Sequence, residues 1–443
     1  MFLPLTTGKS FFQPLSPPTY SRIRGAHLFT QINVGNENLL TTFSPGRLTG
    51  FCLAIALFEL LTYMASDLVM PAMLAVTEEL GAPADQIPYA FNLYLLGGIL
   101  LPWLIGPLSD RHGRRPFMLV GCAGFALACA ATTQVTHMQG FNGLRLLQGM
   151  GLGFVIAVSY PAIQDMFNES DAVKIMALLG NLALLSPLLG PLLGGLLLQW
   201  LSWRELFVLL AGLGTVSWLA LWGFMPRHPR PGSQQPSPVP FELHALIKRY
   251  GALLGHRGFM AASVALGLMS LPLIAWIGLS PLLLIEGQGI SPLVYGLWQI
   301  PVFAAVILGN LLLNALVERV GVRGVVRCCL WPLCAGLLAL VTASQFNLCL
   351  PVLVGGLSLY ALGLGLGNAA LYRLALFASD DSKGLVSAMV GMISIAVMSA
   401  AGSLLALLGA GNSLESFALM AGIAGLSCPV ALWLFMSRPV APV

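Results

Sequence analysis

Long apolar runs, each long enough to cross a bilayer and separated by short polar turns, constrain this chain more than any other feature. Twelve can be drawn, over residues 48–71, 87–108, 117–135, 139–163, 173–199, 204–225, 258–285, 292–316, 325–345, 349–377, 384–409 and 415–437. A helix needs about 20 mostly apolar residues to span the hydrocarbon core. Inside that core every backbone N–H and C=O must find a partner within the protein, which runs of this kind achieve as helices. Composition agrees: of 443 residues, 57% are hydrophobic and only 9% charged, where soluble domains carry roughly 25%. A soluble domain is excluded. The fold class expected is an all-α polytopic membrane protein.

One long polar interruption, Pro226–Arg257, breaks the series into six and six. It reads as a Pro-rich linker followed by a short amphipathic helix on the membrane surface. The expected organisation is a flexible arm over 1–47, a six-helix half over 48–225, the linker over 226–257, a second half over 258–437 and a tail over 438–443. The arm has no apolar core followed by a small-residue cleavage site, so it is not read as a signal peptide. Pro14, Pro17 and Pro18 favour a flexible segment, either a regulatory tail or an overhang. With the N-terminus in the cytoplasm, all 21 basic residues except Arg145, Arg204 and Arg373 fall in the tails and cytoplasmic loops. The outer loops carry Glu78, Glu79, Asp85, Glu205, Glu286 and Glu415 instead. This positive-inside pattern places both termini in the cytoplasm.

The halves repeat. GPLSDRHGRR follows the second run and NALVERVGVR the eighth; at a constant offset Leu108, Asp110, Arg111, Gly113 and Arg115 fall on Leu316, Glu318, Arg319, Gly321 and Arg323. Gly149, Gly151 and Gly153 in the fourth run find counterparts in Gly363, Gly365 and Gly367 of the tenth. Two repeated halves with a substrate path at their interface is a transporter design. Twelve transmembrane helices in two six-helix pseudo-symmetric halves are therefore expected.

Charges inside the runs are few. Glu59, Tyr63 and Asp67 in the first run are spaced to share one helix face. A carboxylate in mid-bilayer costs at least ~2.5 kcal/mol. The pair is expected to face a water-accessible cavity, where it can exchange protons or bind something positive. Arg145 in the fourth run needs acceptors; beside Gln148 it either tunes a first-run acid or is held in a structural hydrogen-bond network. The fifth run reads NLALLSPLLGPLLGG, from Asn181 to Gly195. Pro187 and Pro191 with Gly190, Gly194 and Gly195 make a bendable helix with a flat packing face. In the loop GPLSDRHGRRP, Asp110 and Arg114 can pair at i, i+4 if the helix continues; otherwise the loop is simply basic. Trp276, Trp298, Met269 and Met398 could contact a substrate, though core packing or interface anchoring explains each as well.

The loop Gly106–Pro116 resembles the signature loop of the major facilitator superfamily. The resemblance implies a cytoplasmic latch formed by Asp110, Arg111 and Arg114 with Asp165, with Asp110 facing the start of the eleventh helix; Val322 stands where the second half would carry the latch arginine. The GPxxGG string resembles the motif of proton-coupled drug exporters. FELLTYMASDLVMPAMLAV, LRLLQGMGLGF, SYPAIQDMF, LPLIAWIGLSP and LYRLALFASDDSKGLVSA carry the likeness further, to the MdfA-type multidrug/proton antiporters, from residue 48 onward. What this implies is the major facilitator fold and proton-driven efflux of lipophilic cationic and neutral drugs, chloramphenicol-type and quaternary-ammonium compounds among them. Glu59 and Asp67 would be the protonation and drug-binding sites, and Tyr63, Tyr160, Asn181 and Pro187 would line or shape the cavity. Arg145 would be the motif arginine, and Arg373 an intramembrane arginine of the tenth helix. Ser66 precedes Asp67 where the family commonly places Asn.

No nucleotide-binding G-x-x-x-x-G-K-[ST] string occurs, the eight cysteines show no paired spacing, and the six histidines no metal pair. The expectations are no metal, no cofactor, an ion gradient as energy source, and no enzyme. The partners expected are small lipophilic drugs, protons and membrane lipid, with no nucleic acid. A monomer in the bacterial inner membrane is expected. The alternatives are a proton-coupled transporter of a specific metabolite or sugar, or monovalent cation/proton exchange.

Overall fold

The computed structural model describes residues 45–167, 169–226, 243–345, 350–379 and 383–436. The arm before residue 45, the linker over 227–242 and the tail from 437 lie outside them. The described residues are helical throughout, with no strand among them. Spans are numbered in chain order: α1 Gly46–Glu79, α2 Ala84–His112, α3 Arg114–Thr132, α4 Met138–Met166, α5 Glu169–Leu197, α6 Trp203–Phe224, α7 Arg257–Glu286, α8 Pro292–Leu313, α9 Ala315–Ser344, α10 Leu350–Leu376, α11 Leu385–Leu407 and α12 Leu414–Trp433. Eleven pass as candidate spans, α9 containing a break at Gly321, and α5 makes the twelfth as two pieces, Lys174–Gly180 and Leu185–Leu197, meeting at 42°. A separate helix, Leu243–Gly255, precedes α7, and its Tyr250 hydroxyl donates to the Trp103 carbonyl at 3.4 Å.

Several spans carry irregular turns, and α1 outruns its sequence estimate the furthest. α1 continues past residue 71 through a 3-10 turn, Met70–Ala72, into Met73–Glu79. Pro71 sits in the first turn of that segment, where a missing N–H costs least. α7 ends in a π turn, Pro281–Glu286, again opened by a proline. Another π turn, Val155–Ser159, interrupts α4 just before Tyr160 and Pro161.

The repeat read from sequence is present in the backbone. Gly113 has φ 92° and Gly321 φ 69°, a left-handed region that favours glycine. Both break the chain at the signature loop and its copy. The helix therefore does not run on through the loop, as the i, i+4 reading supposed: α2 ends at His112 and α3 starts at Arg114. The crossings repeat as well. A Cβ at Gly149 would meet the Tyr94 carbonyl oxygen at 1.9 Å, and one at Gly97 the Leu146 oxygen at 2.1 Å. In the second half Gly365 faces the Val306 oxygen at 2.2 Å, and Gly309 the Leu362 oxygen at 2.4 Å. Both halves thus press two helices together at reciprocal glycines, and the structural counterpart of Gly149 is Gly365 rather than the Gly363 read from sequence.

The halves meet along α5–α8 and α2–α11. Gly195 would place a Cβ 2.2 Å from the Pro292 oxygen, and Gly296 one 2.6 Å from the Leu192 Cα. Asn92 on α2 donates to Ser403 on α11 at 2.7 Å.

Candidate functional site

The run LFELLTYMASD is rich in residues with good helix propensity, and as part of α1 it puts Glu59, Tyr63 and Asp67 on successive turns. Glu59 is fully buried and Asp67 is 6% exposed, while Tyr63 between them stays half-buried. α4 and α5 each reach over one of the two acids. Tyr160, the residue just past the π turn of α4, donates its hydroxyl to Glu59 Oε1 at 2.8 Å. Glu59 Oε2 is buried without a hydrogen-bond partner. Ser186 of α5 donates to Asp67 Oδ2 at 2.8 Å. Neither acid forms an ion pair among the described residues. π turns re-aim the side chains that follow them and recur at functional sites; here one delivers Tyr160.

Arg145 is held in a hydrogen-bond network and also lies within electrostatic reach of Asp67. It is 1% exposed. Its Nη1 donates to the Ala65 carbonyl at 2.9 Å and to Gln148 Oε1 at 3.0 Å, and its guanidinium lies 4.4 Å from the Tyr94 ring centroid. Gln148 passes the chain on to Thr132 Oγ1 at 2.7 Å. Tyr94 in turn donates to the Thr62 carbonyl. The arginine therefore grips the α1 backbone between the two acids rather than either carboxylate.

The glycines of the fifth run are the seat of Asp67. A Cβ at Gly190 would lie 2.6 Å from the Asp67 Cβ, and one at Gly194 2.1 Å from the Leu68 oxygen. Only glycine allows α5 so close to α1 at these turns. Gly195, against Pro292, extends the same helix face to the other half. Pro191 is buried and Pro187 half-buried within the bent helix.

At the loop, Arg114 pairs with Asp110 across the break and with Asp165 at 3.1 Å, and also donates to Ser109 at 2.9 Å. Arg111 is exposed and makes no such bond among the described residues, just ahead of the turn at Gly113. Residues 380–382, just ahead of the eleventh helix that Asp110 was expected to face, lie outside the described ones. Arg373 is not brought to the acids either. It stands in the last turn of α10, exposed, with its guanidinium 5.7 Å from the Phe377 ring centroid. A cation there complements the helix C-terminus. The Asn181 side chain lies outside the described residues.

Sequence reasoning missed Ser186, although a lone serine before a proline in an apolar run was a signal. It also missed a buried chain in the second half. Trp276 Nε1 donates to Gln299 Oε1 at 2.7 Å, Gln299 Nε2 donates to Ser280 at 3.4 Å, and Ser280 meets the Tyr295 hydroxyl at 3.1 Å. Trp276, one of the side chains open to a substrate role, is fully buried and packs on Phe417.

Twelve apolar helices in two repeated halves, with buried acids beside the seam, are the architecture of a polytopic membrane transporter. Residues 55–307 match the profile of the Major Facilitator Superfamily, and the chain belongs to that family. It is 43% identical to the multidrug transporter MdfA of Yersinia pestis over 81% of this chain and 88% of that protein. To the multidrug transporter MdfA of Edwardsiella ictaluri it is 42% identical over 85% and 92%. Among solved structures, a D-xylose–proton symporter superposes with a TM-score of 0.68 at 15% identity, covering 88% of this chain and 97% of that one. A bacterial homologue of the human lysosomal transporter Spinster, inward-facing and unoccupied, gives 0.68 at 14% identity, covering 89% and 97%. At that identity the likeness concerns the fold.

Proposed function

We propose that this chain is a proton-coupled multidrug exporter of the MdfA type, working by alternating access, with Glu59 and Asp67 as the shared seat of proton and drug. The observation that carries the reading is the state of the two acids. Both are buried on one helix, each receives a hydroxyl, and neither has a counter-ion among the described residues. A carboxylate withdrawn from water is costly unless something positive balances it. A proton can do so, and so can a lipophilic cation, but one negative charge does not accommodate both well. With the site open to the cytoplasm, a cationic drug enters as the proton leaves. With the site open to the more acidic outside, protonation removes the charge that held the drug, and the drug departs. Neutral drugs are exported where their binding displaces the proton indirectly.

Relatives named multidrug transporters favour drugs as cargo over a single metabolite, a sugar, or monovalent cations. In this reading the proton gradient is the energy source, with no cofactor or metal. The protein acts as a monomer in the bacterial inner membrane, both termini cytoplasmic. The Asp110–Arg114–Asp165 cluster acts as the latch of the outward-facing state, which breaks as the protein opens inward.

The test is drug-induced proton release and pH-gradient-driven efflux in proteoliposomes for wild type, Glu59→Gln, Asp67→Asn and the double variant. The expected result is impaired exchange in each single variant and loss of cationic-drug efflux in the double. Cationic-drug efflux undiminished in the double variant would sink the scheme.

A further inference from the structure

We propose that Ser186 is a positioning residue for Asp67, fixing from a second helix the direction in which that carboxylate meets a proton or a cation. The inference rests on the functional reading above and adds a residue to it.

A hydroxyl inside a helix ordinarily returns to a carbonyl three or four residues back. Thr62 does so to Glu59 at 2.8 Å, Ser263 to Phe259 at 2.9 Å and Ser358 to Val354 at 2.7 Å. Ser186, fully buried, instead gives its hydroxyl to Asp67 Oδ2 at 2.8 Å. It stands one turn before Gly190, where an added Cβ would lie 2.6 Å from the Asp67 Cβ. α5 therefore touches the acid twice, once by close backbone approach and once by hydroxyl.

The other groups around Asp67 do not duplicate this. Ser66 and Tyr63 are on α1 itself and move with the acid. Arg145 from α4, Tyr94 from α2 and Tyr295 from α8 lie within electrostatic reach. The Nη1 of Arg145 is committed to Ala65 and Gln148, Tyr94 to Thr62, and Tyr295 to Ser280. Ser186 is the hydroxyl that ties the carboxylate to a different helix. That helix meets α8 two turns further on, through Gly195.

The experiment is binding of tetraphenylphosphonium, a lipophilic cation, to the full chain in detergent across a series of pH values. The variants are Ser186→Ala, Ser186→Thr, Asp67→Asn and Asp67→Asn/Ser186→Ala, with melting temperature measured for each. Ser186→Ala should move the midpoint of the pH dependence by about one unit, and Ser186→Thr, which keeps the hydroxyl, should restore it. In the Asp67→Asn background Ser186→Ala should change nothing further. If Ser186→Ala melts too low to assay, Ser186→Cys, a weak donor of similar size, should show a smaller shift in the same sense. A Ser186→Ala profile that superimposes on wild type, or an equal loss with and without Asp67, overturns the inference while leaving the functional reading standing. Cation binding undiminished in Asp67→Asn overturns the role of Asp67, and wild-type protein that binds no cation overturns both.

Discussion

The α2–α4 crossing of the first half and the α8–α10 crossing of the second are built from the same reciprocal glycines, yet their side chains differ sharply in charge. Four residues before the crossing glycine, α4 carries Arg145 where α10 carries Ala361. Twelve and four residues before the proline that opens each helix extension, α1 carries Glu59 and Asp67 where α7 carries Met269 and Ile277. At the loops, Val322 stands at the position that matches Arg114. The second half buries a neutral chain of Trp276, Gln299, Ser280 and Tyr295 instead. Backbone packing is thus shared by the halves, while the ionisable chemistry belongs to one of them. A rocking mechanism needs two similar rigid halves, but an exchange site needs its charges in only one place.

The largest expected effect falls on the side that carries the charges. Neutralising both acids should abolish cationic-drug efflux, whereas Gln299→Leu in the second half should leave measurable exchange; vesicle transport assays read both. Next come the shared glycines. Gly149→Ala and Gly365→Ala should each cost about 1–3 kcal/mol by overpacking, seen as lower melting temperatures in detergent, and the two losses should be alike. A loss confined to one half would break the comparison. Arg114→Ala should reduce exchange roughly five- to tenfold through the conformational balance, while Val322→Arg should stabilise the second loop by less than about 1 kcal/mol, since the facing Glu318 is exposed. Arg111→Ala should be the mildest, within about 0.5 kcal/mol of wild type in stability, and its transport should stay close to normal.

Several of these features could be read without a structure because their signals are local. Apolar length fixes helices in lipid, the offset between GPLSDRHGRR and NALVERVGVR fixes the repeat, and the spacing of Glu59, Tyr63 and Asp67 fixes a common face. Arg145 was visible as costly, but its acceptors were not: one lies at Ala65, on another helix. Arg111 and Arg373 were candidate site residues through the family resemblance alone. Both are exposed, one beside the break at Gly113 and the other near the end of α10 at Leu376. Ser186 was one letter in an apolar string until α5 folded onto α1.

By itself, then, the sequence determined what depends on neighbours along the chain: which segments enter the membrane, where the two copies begin, and which helix bears the acids. The tertiary structure decided what depends on helices far apart in sequence. It closed Tyr160 and Ser186 over Glu59 and Asp67, committed Arg145 to the α1 backbone, and used glycine after glycine to bring helices within backbone contact. Hydrogen bonds and close packing act over a few ångströms, and no spacing within one helix fixes the distance to another.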